Sequence, residues 1–144
     1  MIVSLSKGGV DIELITQTRR QDVAAFLEEL REIMGKKAFN RDTDFVLIRK
    51  TKPNDVRHST PYTLVDLEYD VGDIIETLRK LRIEDYSESR IDRDDLIPPV
   101  LHVFGKTINE KLVYIKLKVR KAEKHKVICV SFHYAREQMS FPYA

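Results

Sequence analysis

The sequence contains one cysteine, no tryptophan, and only five glycines and five prolines among its 144 residues. One cysteine cannot form a disulfide within the chain, which favours a reducing compartment. No apolar run approaches the ~18 residues of a membrane-spanning helix, and the first residues lack the pattern of a secretory signal. We therefore expect a cytoplasmic protein without a membrane segment. Because 42% of the residues are hydrophobic and no long linker interrupts them, residues 1–144 are expected to form a single domain.

The near-neutral formal charge of +2 conceals two segments of opposite sign. Residues 66–95 contain 11 acidic and 5 basic side chains, whereas residues 106–126 contain 8 basic and 2 acidic ones. Clustered basic side chains attract polyanions such as nucleic acids. The charge pattern therefore favours a polyanionic partner for the basic segment.

The first half of the chain combines β-type and helical patterns. β-type sequence covers residues 1–16, and an apolar run predicts a strand over residues 44–50. Between them, Thr18 and Gln21 have the spacing of a capping box, and an apolar stripe predicts a helix that ends at Gly35. The stripe consists of Val23, Phe26, Leu27, Leu30, Ile33 and Met34.

The second half predicts a helix followed by consecutive strands. Residues 51–61 form a turn-rich connection, and a helix begins near Asp70, which can cap it. Residues 83–95 are polar and acidic, and predict a short helix that runs into a loop. The three predicted strands are 100–104, 112–120 and 127–134. This order predicts an α+β domain, with an antiparallel meander packed against helices and an N-terminal β/α elaboration.

Side chains alternate across the sheet in the predicted C-terminal hairpin. The apolar face is expected to carry Val113, Ile115, Leu117, Val119, Ile128, Val130, Phe132 and Tyr134. The opposite face is expected to carry Tyr114, Lys116, Lys118, Arg120, Val127, Cys129, Ser131 and His133. With a turn in residues 121–126, the simplest register pairs Arg120 with Val127, Lys118 with Cys129, Lys116 with Ser131 and Tyr114 with His133. A slip of two residues would place Lys116 opposite His133 instead.

The polar face of this hairpin has the residue types that metal-free RNA cleavage requires. That reaction needs a base for the 2′-hydroxyl proton, cations for the charge on the phosphoryl oxygens and an acid for the leaving oxygen. His133 is the candidate for proton transfer, Tyr114 for positioning the substrate and Lys116 for stabilising charge. The candidate phosphate-binding residues are Lys118, Lys106, Arg120 and Ser131. The alternative is a non-catalytic module that binds RNA or a protein through the same basic face.

Three ordered segments resemble the MqsR (motility quorum-sensing regulator) toxin family. They are residues 103–106 (VFGK), 113–118 (VYIKLK) and 128–135 (ICVSFHYA). The SFHYA segment and the Pro-Tyr tail resemble the larger branch of that family, as do residues 62–64, 66–67 and 84–86. The resemblance covers roughly residues 62–144, whereas residues 1–61 match only loosely.

The resemblance implies a RelE-like α+β fold and a bacterial toxin that cleaves mRNA without a metal or other cofactor. It also implies an antitoxin protein, encoded beside the toxin, that silences it. Tyr114 matches the active-site tyrosine of the family, and His133 stands where the best-known branch has a catalytic lysine. That branch's second lysine falls near Ser87 and its glutamine near Leu101, so neither is reproduced. A change from lysine to histidine as the proton-transfer group is therefore our hypothesis.

Other reactive residues are interpreted as structural. Cys129 and His133 lie about 13 Å apart if the strand is regular, which is too far for a thiol–imidazole pair. His102 is expected to face the core with a hydrogen-bond partner. The four histidines lack zinc-site spacing, so no metal site is expected. The acidic residues between 84 and 95 are interpreted as a solvated face.

Overall fold

The computed structural model describes residues 15–144, so most of the β-type sequence predicted over residues 1–16 lies outside the described part. Within that part the chain forms three α-helices, α1 (Arg20–Gly35), α2 (Thr60–Leu67) and α3 (Val71–Arg79). The strands are β1 (Ile15–Thr16), β2 (Phe45–Leu47), β3 (Tyr86–Ile91), β4 (Val100–Ile108), β5 (Lys111–Arg120) and β6 (Lys126–Tyr134). The fold is thus mixed α+β. Over residues 15–144 no helix combines the length and apolar character needed to cross a membrane.

The six strands form one sheet in the order β1-β3-β4-β5-β6-β2. Strands β3 to β6 are an antiparallel meander, and β1 pairs antiparallel with β3 at one edge. At the other edge β2 runs parallel to β6 and pairs with its first half. The second half of that edge is covered by α2, because Thr60 and Thr63 accept hydrogen bonds from the backbone N–H groups of Phe132 and Tyr134.

Helices α1 and α3 pack with one sheet face in a continuous core. The predicted stripe of α1 is buried at five positions, Val23, Leu27, Leu30, Ile33 and Met34. The predicted cap of α1 is wrong, because Arg19 is the N-cap and makes no side-chain cap bond. Thr18 instead hydrogen-bonds Ser89 on β3 at 2.8 Å. Asp70 caps α3 as predicted, in a reciprocal capping box with Asp73.

Two elements were not predicted. Residues 60–67 form α2, which begins with Ser59 accepting a hydrogen bond from the Tyr62 N–H and has a proline in its first turn. Residues 86–91 form β3 rather than a loop, since both edges of this polar segment pair with neighbouring strands. The predicted strand over residues 44–50 is shortened to β2.

The register of the β5–β6 hairpin is as predicted in one half and shifted in the other. Tyr114 faces His133 and Lys116 faces Ser131, but Lys118 faces Ile128 and Arg120 faces Lys126. The predicted pairs of Lys118 with Cys129 and of Arg120 with Val127 are therefore wrong. The cause is a β-bulge at Val130, which has no partner and reverses the side-chain alternation of β6. Before the bulge, Val127 and Cys129 belong to the core, contrary to the uninterrupted alternation that was predicted.

Candidate active site

The sheet face that carries Tyr114 is indented by a cavity of about 500 Å³. The hairpin contributes Tyr114, Lys116, Ser131 and His133 to its lining. The segment after β2 adds Lys50 and Lys52, strand β3 adds Ser87, Glu88 and Arg90, and the C-terminal segment adds residues 135–140. Four of the predicted site residues are thus brought together in one concave surface.

The rings of Tyr114 and His133 stack, with centroids 5.1 Å apart and planes inclined by 13°. They lie on the same side of the sheet, as the predicted register requires. His133 is nevertheless only 8% exposed, so its ring belongs to the wall of the cavity rather than to an open surface. The predicted side of the sheet is therefore confirmed, but the prediction that the His133 ring lies on a solvent-exposed surface is wrong.

The hydrogen bonds of His133 define which ring nitrogen can accept a proton. Nδ1 lies 2.9 Å from the carbonyl oxygen of Tyr134, and because a carbonyl only accepts, Nδ1 is the protonated nitrogen. Nε2 lies 3.3 Å from the ammonium of Lys52, which donates to its lone pair. Burial lowers the pKa of His133 to about 4, and the charges of Lys52 and Lys116 act in the same direction. At neutral pH the imidazole is therefore uncharged, with Nε2 as the acceptor.

Lys52 is held by the segment that joins β2 to α2. Its ammonium donates to the carbonyl oxygen of His58 at 2.9 Å. The ring of His58 donates to Asp55 at 2.6 Å, and Arg136 pairs with the other oxygen of that carboxylate at 2.9 Å. Asp55 therefore joins this segment to the chain that follows β6. Burial lowers the pKa of Lys52 from its ordinary value.

Lys52 was missed by sequence reasoning because it lies in a connection that was predicted to be only turn-rich. It reaches the site because β2 runs parallel to β6, so the chain leaving β2 continues toward the His133 end of β6. A strand near residues 44–50 can be predicted from its apolar run. Its pairing with a strand some 80 residues away has no local signal.

Lys116 and Tyr114 are partly buried beside His133. Burial lowers the pKa of Lys116, and the charge of Arg90 on β3 adds to that shift. Burial raises the pKa of the Tyr114 phenol, which therefore stays protonated and able to donate at neutral pH. Glu88 pairs with Arg90 on the same cavity wall, and burial raises the pKa of this carboxyl.

Lys118, predicted to bind phosphate, is instead part of a buried ion pair. The residue is only 1% exposed, and its ammonium lies 2.8 Å from the Asp92 carboxylate. It also donates to the carbonyl oxygens of Asp95 and Pro98, at 2.8 and 3.0 Å. Lys118 is thereby removed from the candidate phosphate ligands.

Two further predicted phosphate ligands are engaged by carboxylates. Lys106 pairs with Asp85 at 3.2 Å, and Arg120 pairs with Asp95 while donating to the Ile97 carbonyl oxygen. Neither lines the cavity. The interpretation of residues 84–95 as a solvated acidic face is therefore wrong for Asp85, Asp92 and Asp95, because these carboxylates pair with cations of β4 and β5.

The remaining reactive residues have structural surroundings. His102 hydrogen-bonds Ser89 at 2.9 Å and packs against Phe26, as predicted, and burial lowers its pKa to about 4. Cys129 is fully buried, and burial raises the pKa of its thiol to about 12. Over residues 15–144, no three histidine, cysteine or carboxylate side chains are grouped to hold a metal ion.

Comparison of the chain with protein-family models, with curated proteins and with solved structures finds no match. A proposal of function therefore starts from the cavity and its residues.

Proposed function

We propose that this chain is a metal-independent endoribonuclease that serves as the toxin of a toxin–antitoxin pair. The observation that carries the proposal is the state of His133 in the cavity. The ring is neutral, its Nδ1–H is fixed on the Tyr134 carbonyl, and its Nε2 lone pair meets an ammonium group. A fixed proton acceptor among lysines matches the needs of RNA cleavage through the 2′-hydroxyl.

The reaction follows from the positions of these groups. Nε2 of His133 accepts the proton of a ribose 2′-hydroxyl, and the 2′ oxygen forms a bond to the adjacent phosphorus. The bond from phosphorus to the 5′ oxygen breaks, which leaves a 2′,3′-cyclic phosphate and, once the leaving oxygen is protonated, a 5′-hydroxyl. Lys116 stabilises the charge that develops on the phosphoryl oxygens. The Tyr114 hydroxyl donates to the same phosphate, while its ring keeps the imidazole in place.

The lowered pKa of His133 is compatible with this role. Burial is the larger cause of its lowered pKa, and the charges of Lys52 and Lys116 add to it. A bound phosphodiester is an anion that offsets those two ammonium charges. It therefore raises the pKa of His133 at the moment when a base is required.

The toxin assignment rests on the resemblance of residues 62–144 to the MqsR family. Ser87, near which that family's second lysine falls, lines the cavity, whereas Leu101, near which its glutamine falls, is buried and does not line it. mRNA is the proposed substrate, and an inhibitory antitoxin protein is the proposed partner.

An RNA cleavage assay tests the proposal. A 5′-labelled single-stranded RNA of mixed sequence is incubated with the purified chain in EDTA, and the products are analysed for 2′,3′-cyclic phosphate ends. We expect cleavage by the parent chain, and a loss of about 10²- to 10⁴-fold for His133→Ala, the range for removing a general base. Lys121→Met is the matched control, because Lys121 belongs to the same basic segment but pairs with Glu29 away from the cavity.

The same assay distinguishes an endoribonuclease from a non-catalytic binding module. RNA that is bound but never cut, with the same affinity for parent and His133→Ala, would assign the cavity to a non-catalytic RNA-binding module. In cells, expression of the parent chain alone should stop growth and degrade transcripts, and His133→Ala should do neither. Normal growth and intact transcripts with the parent chain would contradict the toxin role.

A further inference from the structure

Lys52 is the residue from which the proposed reaction can be carried further. Neither the hairpin pattern nor the resemblance points to it, yet its ammonium contacts the proposed base directly. We propose that Lys52 is the general acid that protonates the leaving 5′ oxygen and then recovers its proton from His133. This inference rests on the proposed function and assigns its missing acid.

The donors of Lys52 are arranged for such a role. An ammonium has three N–H groups. One donates to the His58 carbonyl oxygen at 2.9 Å and a second to His133 Nε2 at 3.3 Å. The third remains for a substrate oxygen. Because the lysine stem is flexible, the ammonium can cross from the imidazole to the far side of the phosphorus, where the leaving oxygen lies.

The surroundings also make Lys52 a better proton donor than an ordinary lysine. Burial lowers its pKa, and the charges of Arg136 and Lys50 act in the same direction, whereas Asp55 opposes them. A lysine whose pKa is shifted toward the working pH is a more effective general acid.

Four other donors of the cavity suit this role less well. Burial raises the pKa of Tyr114, which weakens the phenol as an acid. Arg90 and Arg136 suit it less well because a guanidinium group is not a proton donor in general acid catalysis. Lys116 has a lowered pKa like Lys52, but the structure shows no hydrogen bond from it to the base.

The direct contact between acid and base closes the proton balance. The 2′-hydroxyl proton moves to His133 Nε2, and a Lys52 proton moves to the 5′ oxygen as its bond to phosphorus breaks. The imidazole is then protonated and the amine neutral. When the neutral Lys52 amine moves back to its original place beside His133, it accepts the proton from Nε2–H. The resting state is thereby recovered with no net gain or loss of protons.

The test compares two leaving groups. The bond cut by the parent chain is first mapped in a mixed-sequence RNA. That RNA is then synthesised with the ordinary 5′ oxygen, or with sulfur in its place at the mapped bond. A thiolate leaves without protonation, so the sulfur substrate does not need a general acid. Single-turnover rates are measured for the parent chain, Lys52→Met, Lys52→Arg and His133→Ala.

We expect Lys52→Met to lose about 10²- to 10⁴-fold in rate on the oxygen substrate. On the sulfur substrate it should come within about tenfold of the parent, while His133→Ala should be impaired on both. Lys52→Arg keeps the charge but cannot release a proton, so it should bind RNA like the parent and still be slow on the oxygen substrate. Lys80→Met is the control, because Lys80 is exposed directly after α3 and pairs with Glu76.

The contrary outcomes are distinct. If Lys52→Met is impaired equally on both substrates, or on neither, the acid role is wrong although the endoribonuclease proposal stands. If the parent chain cuts no RNA, the proposed function fails and the acid role fails with it. Circular dichroism of each variant identifies a loss that comes from unfolding. If Lys52→Met unfolds, the oxygen and sulfur substrates are compared with Lys52→Arg instead, because this variant keeps the buried charge.

Discussion

Replacing Lys118 by methionine is expected to destabilise the fold without removing a phosphate contact. The lysine ammonium is buried between the Asp92 carboxylate at 2.8 Å and the carbonyl oxygens of Asp95 and Pro98. Methionine fills most of the space of the lysine stem but donates no hydrogen bond. All three acceptors therefore lose a donor, and the Asp92 carboxylate is left buried without its cation.

The magnitude follows from these contacts. Removing one partner of a buried ion pair costs about 3–5 kcal/mol in the free energy of unfolding. Asp92 keeps the backbone N–H groups of Asp94 and Asp95 at 3.1 and 3.2 Å, which favours the lower end of that range. We therefore expect a loss of about 3 kcal/mol, or a Tm lower by roughly 10 °C in a domain of this size.

Urea unfolding followed by circular dichroism measures this loss, and Lys116→Met is the matched comparison. Lys116 lies two residues earlier on the same strand but lines the cavity, so its replacement should weaken RNA binding and change stability by less than about 1 kcal/mol. The double variant Lys118→Met with Asp92→Asn should cost less than the sum of the two single changes, because the carboxylate is no longer left charged. If Lys118→Met is as stable as the parent and binds RNA more weakly than Lys116→Met, Lys118 is a phosphate ligand and the reasoning is wrong.

Two further predictions concern the histidines and the C-terminal segment. Burial lowers the pKa of His102 and His133 to about 4, against about 6.5 when unfolded, so the unfolded chain takes up protons first as the pH falls. The free energy of unfolding, measured with urea, should fall by roughly 2 kcal/mol per histidine between pH 7 and pH 5. His133→Gln should remove about half of the total fall. At Gly105 an added Cβ would lie 2.7 Å from the Phe141 ring, so Gly105→Val should displace the C-terminal segment and expose it to carboxypeptidase. Gly35→Ala, where nothing lies within 4 Å, should leave the digestion rate unchanged, and equal rates for all three chains would contradict the packing.

The parts of the fold that could be predicted are those with a strong local pattern. The buried stripe of α1 repeats with helical spacing, and Asp70 supplies the cap of α3. In the β5–β6 hairpin the alternation restricts the register, and the simplest turn then gives the correct partners of Tyr114 and Lys116, although the pairs nearer the turn differ. In these cases the side chains that determine the element lie within it, so the sequence window contains the information.

The parts that could not be predicted depend on distant partners. Strand β3 is polar between its two ends, over residues 87–90, and is a strand because β1 and β4 pair with its backbone. Helix α2 is only eight residues long, and its Thr60 and Thr63 hydroxyls complete the edge of β6. The bulge at Val130 reverses the sides of an apolar strand, and because apolar residues occupy both sides there, alternation gives no sign of it.

The positive charge of the cavity also depends on pairing between distant segments and could not be predicted from the local sequence. Counting cations by segment pointed to residues 106–126, but the residues on either side of β3 place Asp85, Asp92 and Asp95 against the cations of β4 and β5. Of that basic segment, Lys116 is the lysine that lines the cavity, and Lys50, Lys52 and Arg136 come from outside it. The carboxylates that pair with Lys106, Lys118 and Arg120 make these three cations less available to a phosphate. The electrostatics of this cavity are therefore determined by the parallel pairing of β2 with β6, which delivers Lys52 to His133, more than by the abundance of lysine in the hairpin.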